Sequence, residues 1–528
     1  MKVLISRPDK IGDLLLALHG VKQLKLARPD IEIFFYVSPY TEKLAKNIKF
    51  IDGVYTTEDD LPVGVFDATV DLLAKYNSAK TMAKTKAKIR IGNSARTHSF
   101  LYNRTRHVRR SKAQINEAEY NWQLISLLDE KLMYSRLTET LSVDDFKSYT
   151  EYKKEKAFTV LMPSITASAD SWPIENWISL AKQLAAKNSQ KDIYFLLGPA
   201  EIDLSERILL ETNELPNVQM KSFDSLEAVI GILKEADYYI GGPTGITHMA
   251  SLLSDKGIAL YPEKRSMHPN RWLPFKTKFK AVSLSKKLSV QDVLSCIESS
   301  VPDELKPIIK DTVSGFIICC DEESNIRRAL ESLSWCDEIV VVDSGSKDKT
   351  VEIAKEYTDK VLHRDWTGYY EQKQFALDSC TKKWVINIDA DEEVSMELRG
   401  QIEDILSKPK KAATGYNVHR LIFYLDRWWD KGGWLNEYRL RFFQKEHANW
   451  SGSYGHEKAT LKGKARKLHG SIYHYTYRDI RHQTACLQKH AEMMADSMSA
   501  AGRKGRIINI LLTPTTLFEV LYPKTRLP

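Results

Sequence analysis

No run of this chain approaches the roughly 20 consecutive apolar residues that a membrane-crossing helix requires, so no such helix is expected. The opening MKVLISRPDK has neither an apolar core nor a small-residue cleavage site, and a secretory leader is not expected. Cysteine is scarce: six occur in 528 residues, and Cys296, Cys319, Cys320, Cys336, Cys380 and Cys486 show no paired metal-site spacing. Reduced thiols in a cytoplasmic protein are the expectation. Charge of one sign is lacking too, since Lys and Arg exceed Asp and Glu by only 77 − 69 = 8. So mild a basic excess fits anionic ligands or a membrane surface better than duplex DNA, and no nucleic-acid partner is expected. Repeats and low-complexity tracts are absent as well.

Alternation is what the chain does have. Over residues 1–150 the strands MKVLIS, IEIFFYV, ATVDLL and KIRIG alternate with the helical patterns GDLLLALHGVKQLKLA and YTEKLAKNI. Such alternation predicts an α/β fold, a parallel sheet with helices on both faces. The polar stretch SVDDFKSYTEYKKEKA leads into a second βα series over residues 151–305, and two open α/β halves place a cleft between the carboxyl ends of their sheets. After VPDELKPIIKDT a third α/β unit is expected over residues 311–528.

In that third unit the segment WVINIDADEEV reads as a buried strand running into Asp389, Asp391, Glu392 and Glu393. Four carboxylates at the end of an apolar strand are costly unless a cation or ligand offsets them. In an extended strand Asp389 and Asp391 share a face. A Mg²⁺ or Mn²⁺ ion bound to a diphosphate takes one or two protein carboxylates, which such a pair supplies. The strand EIVVVD ends in Asp343 before the turn SGSKDKT, and a carboxylate there is placed to meet a ribose or base.

The run FIICCDEESNIRRALESLSWCDEIVVVDSGSKDKT, with HRDWTGYYEQKQFAL, WVINIDADEEVS, KGGWLNEYRLRFFQK and YGHEK, resembles the family 2 glycosyltransferases of lipopolysaccharide core synthesis, the WaaE/KdtX-like group. The resemblance implies a GT-A fold and metal-dependent inverting transfer of a hexose, commonly glucose, from a UDP-sugar. It gives Asp343 to the nucleoside, Lys373 to the donor side, and Asp389 and Asp391 to the metal, Asp391 nearest. Asp321 stands where that family usually has Asn, and its role stays open. Inversion needs a base for the acceptor hydroxyl. Glu437 and Glu457 are the two candidates, with Glu437 favoured. His456 is a candidate third metal ligand or a packed residue; Trp428, Trp429 and Trp434 either stack on sugars or belong to the core.

Near the start, a strand stops at Ser6 and the loop RPDKIGD carries Asp13 to a helix N-terminus, as an N-cap or as a carboxylate facing the cleft. DYYIGGPTGITHMASLL repeats the strand, Gly-rich turn and helix pattern, offering backbone N–H groups with Thr244, Thr247 and His248 to a phosphate. These two segments resemble the family 9 heptosyltransferases, which implies a metal-free GT-B fold using ADP-heptose. By that resemblance Asp13 is the base, the turn Thr244, Gly245, Thr247, His248 holds the diphosphate, and Glu201 and Asp224 lie near the nucleoside. The family usually has a cation before its Trp-Pro pair, whereas this chain has Asp170 and Ser171 before Trp172; either Arg265 or Arg271 takes that place, or the donor differs, or this half is catalytically weak.

The basic run RIGNSARTHSFLYNRTRHVRR either grips the anionic groups of an acceptor or is a solvated loop. The tail RIINILLTPTTLFEVLY, which opens on Arg506 and follows Arg503 and Lys504, suits a helix lying on anionic lipid or one docked on the third unit. The expectation from all of this is a two-headed transferase of the lipopolysaccharide inner core, taking ADP-heptose and a UDP-hexose to a Kdo–lipid A or core acceptor at the cytoplasmic face of the inner membrane. The alternative leaves the third unit alone active, with the N-terminal part a carbohydrate-binding module.

Overall fold

The structure, a computed structural model, describes residues 1–108, 110, 113, 115–133, 135–163, 172–198, 202–222, 225–254, 256–262, 267–284, 288–298, 311–407, 412–425, 427–429, 437–451, 458–477, 479–500 and 502. The chain forms two compact units, Met1–Pro307 and Ile308–Pro528.

The first unit contains two six-stranded, all-parallel sheets. In space the first runs Gly53–Tyr55, Glu32–Tyr36, Lys2–Ser6, Ala68–Asp71, Ile89–Asn93, Arg104–Arg106. The second runs Lys280–Leu284, Gly257–Pro262, Tyr238–Gly241, Phe158–Met162, Asp192–Leu197, Val218–Ser222. In each, strand order reverses beside the first strand, between Lys2–Ser6 and Ala68–Asp71 and between Phe158–Met162 and Tyr238–Gly241. A doubly wound sheet binds ligands at such a reversal, outside the carboxyl ends of its strands.

The helix Ile11–Ala27 leaves the first of these points. It is apolar nearly all round, with Leu14, Leu15, Leu16, Leu18, Val21 and Leu24 at most 1% exposed. Burying each such side chain contributes about 1.5–3 kcal/mol, so the helix is fixed firmly enough to hold its first turn in register.

The second unit is built on one mixed sheet. Val361–His363, Glu338–Asp343, Val313–Cys319 and Trp384–Asn387 are parallel neighbours; Glu437–Gln444, Gly415–Tyr424, Ala465–His474 and Glu392–Val394 complete the path. Alternation in the central strands buries both faces: Ile317, Val341, Trp384 and Ile386 point into one core, Phe316, Ile318, Val340 and Val385 into the other. Trp384 stacks on Phe442 with ring centroids 4.6 Å apart.

One expectation fails here. The acid-rich segment is not a continuous strand: extended structure ends at Asn387 and resumes at Glu392 on the far side of the sheet, against Ala465–His474. A turn lies between, closed by Glu392 N–H donating to the Asp389 carbonyl at 2.9 Å. Asp389 and Asp391 therefore lie in one turn and not on one face of a strand.

Candidate active sites

In the first unit, Asp13 occupies the first turn of Ile11–Ala27. The N-cap is Lys10, which makes no side-chain cap, so Asp13 is not spent on capping. It sits where the helix dipole favours a carboxylate. Its Oδ1 accepts from Arg7 Nη2 at 2.7 Å, and the side chain stays 20% exposed. Arg7, in contrast, is buried, and the same Nη2 lies 3.2 Å from Glu117 while Nη1 donates to the Leu72 carbonyl at 2.9 Å. Glu117 is fully buried among three guanidiniums: Arg7, Arg110 at 3.0 Å and Arg271 at 2.8 Å. Burial pushes its carboxyl up, but Arg110, Arg7 and Arg271 outweigh that and hold it below the ordinary carboxylate range.

Sequence reading missed this hub, because a Glu in the helical pattern NEAEYNW carries no sign of being buried. Four arginines of the basic run also have partners that sequence reading did not foresee. Arg90 donates to the carbonyls of Leu101 and Ala87, Arg104 to that of Leu127, Arg106 to that of Met133, and Arg110 to that of Leu72. These four bind the protein's own backbone, since their guanidiniums satisfy carbonyls that the loops leave unpaired. Arg271, one of two candidates for the phosphate, is committed to Glu117.

The second helix of the site, Gly245–Leu253, is capped by Thr244, whose Oγ1 accepts from Thr247 N–H at 3.4 Å. Thr247 is not offered to a ligand as expected: it is buried, and its hydroxyl is engaged with the Gly242 carbonyl and, at 2.9 Å, with Tyr239. His248 is likewise buried, with no hydrogen-bond partner at Nδ1 among the described residues. It packs on the opening of the first helix, where a Cβ on Gly12 would fall 2.9 Å from His248 Cδ2. The two helix N-termini thus meet through glycine. A Cβ on Gly245 would lie 2.7 Å from Ile11 Cβ and 2.9 Å from Gly12 N. Because those neighbours are backbone or fixed to it, Gly245→Ala is expected to cost about 1–3 kcal/mol, read as a lowered denaturation midpoint of the first unit.

Acid should loosen the same contact. Desolvation lowers His248 to about 4, and His19 to about 3 with help from His248 and nearby lysines. Above pH 6.5 both imidazoles are neutral folded or unfolded and nothing is lost. Below it the unfolded chain binds the protons first, so stability should fall from pH 6.5 towards 4, by on the order of 2–3 kcal/mol for His248. His248→Gln should flatten that part of a pH-resolved melting series. Glu201, Asp224, Asp170, Ser171 and Arg265 lie outside the described residues.

In the second unit the acid-rich turn holds protein cations. Asp389 pairs with Lys373 at 3.0 Å and with Arg441 at 3.1 Å. Burial alone would raise its carboxyl; Lys373 and Arg441 win and hold it well below the ordinary range. Glu392, fully buried, accepts from Arg441 at 2.8 Å and from Asp389 N–H at 2.9 Å, and Glu393 accepts from the Tyr475 hydroxyl at 3.1 Å. Asp391 is the exception. Its 25%-exposed carboxylate meets His474 Nε2 at 3.1 Å. Burial pushes His474 down, yet Asp391 outweighs this and keeps the imidazole above its ordinary value. Sequence reading missed His474, which reaches Asp391 only because Ala465–His474 pairs with Glu392–Val394 across a gap of some eighty residues, Glu392 opposite His474.

Asp343 is buried, and its carboxylate accepts from Gly345 N–H at 2.9 Å and Ser346 N–H at 3.1 Å, shaping the turn after its strand. Asp321 takes a left-handed backbone with φ +56 and accepts from Lys347 N–H at 2.7 Å. Asp and Asn both tolerate that conformation, which accounts for Asp in a position where Asn is usual. Glu437 accepts from Arg420 at 2.7 Å and Arg439 at 2.6 Å; burial raises its carboxyl, but Arg439 and Arg420 bring it below the ordinary range. Trp428 packs among Phe423, Tyr473 and Tyr475 with centroids 5.0–5.5 Å away, and Trp429 donates to the Tyr424 carbonyl at 2.9 Å. Glu457, His456, Trp434 and the tail beyond residue 502 lie outside the described residues.

Among the described residues no three His, Cys, Asp or Glu groups converge as a ready-made metal cage. Asp391 offers a carboxylate oxygen that suits Mn²⁺ or Mg²⁺ when phosphate and water fill the remaining positions, and His474 beside it would add a nitrogen donor only as the neutral imidazole.

The sequence model of glycosyl transferase family 2 matches residues 314–468, which contain this turn and its partners. The lipopolysaccharide core biosynthesis glycosyltransferase LpsC of Rhizobium meliloti (strain 1021) is 31% identical over 222 residues, 41% of this chain and 82% of that protein. The chain belongs to glycosyltransferase family 2. A putative glycosyltransferase of Haemophilus influenzae is 25% identical over 301 residues, 52% of this chain and 86% of that protein. The model of glycosyltransferase family 9 (heptosyltransferase) matches residues 59–300. Among solved structures, E. coli heptosyltransferase WaaC with ADP aligns at 18% identity and TM-score 0.46, covering 56% of this chain and 99% of that one. This family 2 glycosyltransferase is accordingly an enzyme, in which a segment similar to glycosyltransferase family 9 precedes the family 2 domain. No helix among its described residues is long and apolar enough to cross a membrane.

Proposed function

We propose that the chain carries two glycosyltransferase heads for assembly of the lipopolysaccharide core, one adding a heptose from ADP-heptose and the other a hexose, glucose by preference, from a UDP-sugar. The observation that carries this reading is shared by both units: at the carboxyl ends of the parallel strands a partly exposed carboxylate, Asp13 or Asp391, lies beside a cluster of buried ion pairs. The name of the Rhizobium relative and the family 9 match point to the same pathway.

In the first head Asp13 takes the proton of the acceptor hydroxyl, Arg7 fixes its carboxylate, and the N-terminus of Gly245–Leu253 with His248 receives the diphosphate. In the second, Asp391 and His474 hold Mg²⁺ or Mn²⁺, with Asp389 beside them; His456 is retained as a further ligand. A divalent ion there supplies charge neutralisation for the departing nucleoside diphosphate. Asp343 orders the turn beneath the nucleoside, and Lys373 keeps Asp389 ionised on the donor side. Glu437 is the proposed base, reached when the acceptor hydroxyl displaces Arg439; Glu457 is its rival. Kdo–lipid A or a core oligosaccharide at the cytoplasmic face of the inner membrane is the acceptor. Two heads on one chain keep the intermediate at high effective concentration for the second step.

The capture of Arg271 by Glu117 favours a second reading, in which the first unit binds carbohydrate without transferring it, since a cation expected at the phosphate is engaged elsewhere. Incubating the full chain with ADP-heptose, UDP-glucose and Kdo–lipid A and weighing the products separates the two. Both mass increments are expected from the wild type, and Asp13→Asn should lose the heptose increment alone. Calorimetric binding of ADP-heptose with no heptose increment would favour the binding module.

A further inference from the structure

The segment Arg271–Lys276 belongs to the second half of the first unit, yet most of its polar and aromatic reach is spent on the first half. Arg271 Nε donates to Glu117, the Leu273 carbonyl accepts from Asn116 Nδ2 at 2.7 Å, Phe275 packs edge-on against His19 with centroids 5.2 Å apart, and Lys276 donates to the Thr138 carbonyl at 2.8 Å. At its root the segment is tied to its own sheet, the Tyr261 hydroxyl donating to the Trp272 carbonyl at 2.7 Å. The strap therefore runs from the second sheet to the helix Glu117–Ile125, and its first residue ends on the carboxylate that also holds Arg7.

Arg7 Nη2 lies between two carboxylates, Glu117 at 3.2 Å and Asp13 at 2.7 Å. A single nitrogen cannot approach one of them without moving relative to the other. We propose that Arg271 and Glu117 are positioning residues: through Glu117, Arg271 sets where Arg7 stands, and Arg7 sets the Asp13 carboxylate, so the base is in register only when the strap has brought the two halves together. A mere brace between halves would be served by Asn116, Phe275 and Lys276; the tie that the brace does not need is the one ending on Glu117, the carboxylate that also holds the arginine of the base. The proposal rests on the reading of Asp13 as base.

The test uses the full chain with Arg271→Met and Arg271→Lys, measured for heptose addition from ADP-heptose and for backbone hydrogen exchange. For Arg271→Met, kcat should fall about 10- to 100-fold, with the KM for ADP-heptose within about threefold, because alignment is lost and not donor binding. Amides of residues 7–16 should exchange faster as well as those of 271–276. Arg271→Lys keeps the charge but reaches Glu117 through one nitrogen, and should show the same changes at smaller size; it carries the test if the Met variant does not fold. Faster exchange confined to 271–276, or a raised KM with kcat intact, overturns the proposal. If the wild type adds no heptose, the functional reading fails on its own, and exchange at 7–16 still decides the coupling.

Discussion

Asp391→Asn is expected to stop hexose transfer, lowering kcat by about three powers of ten, while the heptose increment continues unchanged. The geometry singles out this carboxylate. Asp389 is already neutralised by Lys373 and Arg441, and Glu392 by Arg441, so both are held by the protein's own cations. Asp391, about as exposed as Asp389, meets only the His474 imidazole among its described side-chain contacts and no lysine or arginine, which leaves it the carboxylate to engage a divalent ion. For the same reason the loss should be clean. Replacing Asp389 strands a buried lysine and arginine, whereas Asp391→Asn still offers His474 an oxygen, and the melting midpoint of the second unit should move little. Manganese titration followed by calorimetry should show the ion's affinity lost in Asp391→Asn and weakened in His474→Ala. Full activity in Asp391→Asn with the ion present would remove the metal from this site.

Local pattern made the scaffold legible: apolar strands alternating with amphipathic helices dictate parallel sheets, and the loops after Ser6, Gly241 and Asp343 lie at strand ends because glycine and small polar residues stop the strands there. The carboxylates Asp389 and Asp391 could be picked out for a related reason, since acid after an apolar strand is unusual in any fold. What could not be read is set by pairing across the chain. Glu117 is buried because Arg7, Arg110 and Arg271 arrive from three separate segments, and no window of sequence contains all four. His474 meets Asp391 through a strand pairing whose register the local sequence does not state. The basic run misled because a guanidinium looks the same in sequence whether it faces solvent or a backbone carbonyl.

Glu117→Gln should be the most damaging single change in the first unit, lowering its stability by about 3–5 kcal/mol. The amide keeps the shape of the side chain and removes the charge, so Arg7 and Arg110 remain buried with their shared counter-ion gone and Arg271 loses its partner from the other half. Against the 5–15 kcal/mol that typically holds a domain folded, such a loss is a large fraction. Its pH dependence follows from the depressed folded pKa. The ionised carboxylate contributes stability that is fully present above its unfolded value of 4.5 and is lost as pH falls through the folded value below it. The wild type and Glu117→Gln should accordingly differ most near neutrality and converge in acid. Denaturant titration at pH 7 and at stepwise lower pH, following the first unit's transition separately from the second's, measures both. Arg271→Met removes one cation from the cluster and leaves the carboxylate paired with two, so its loss should be well below that of Glu117→Gln. A Glu117→Gln transition within about 1 kcal/mol of the wild type at pH 7 would mean that water enters the cluster and relieves the charges, and the buried hub would then be no constraint on Arg7 or Asp13.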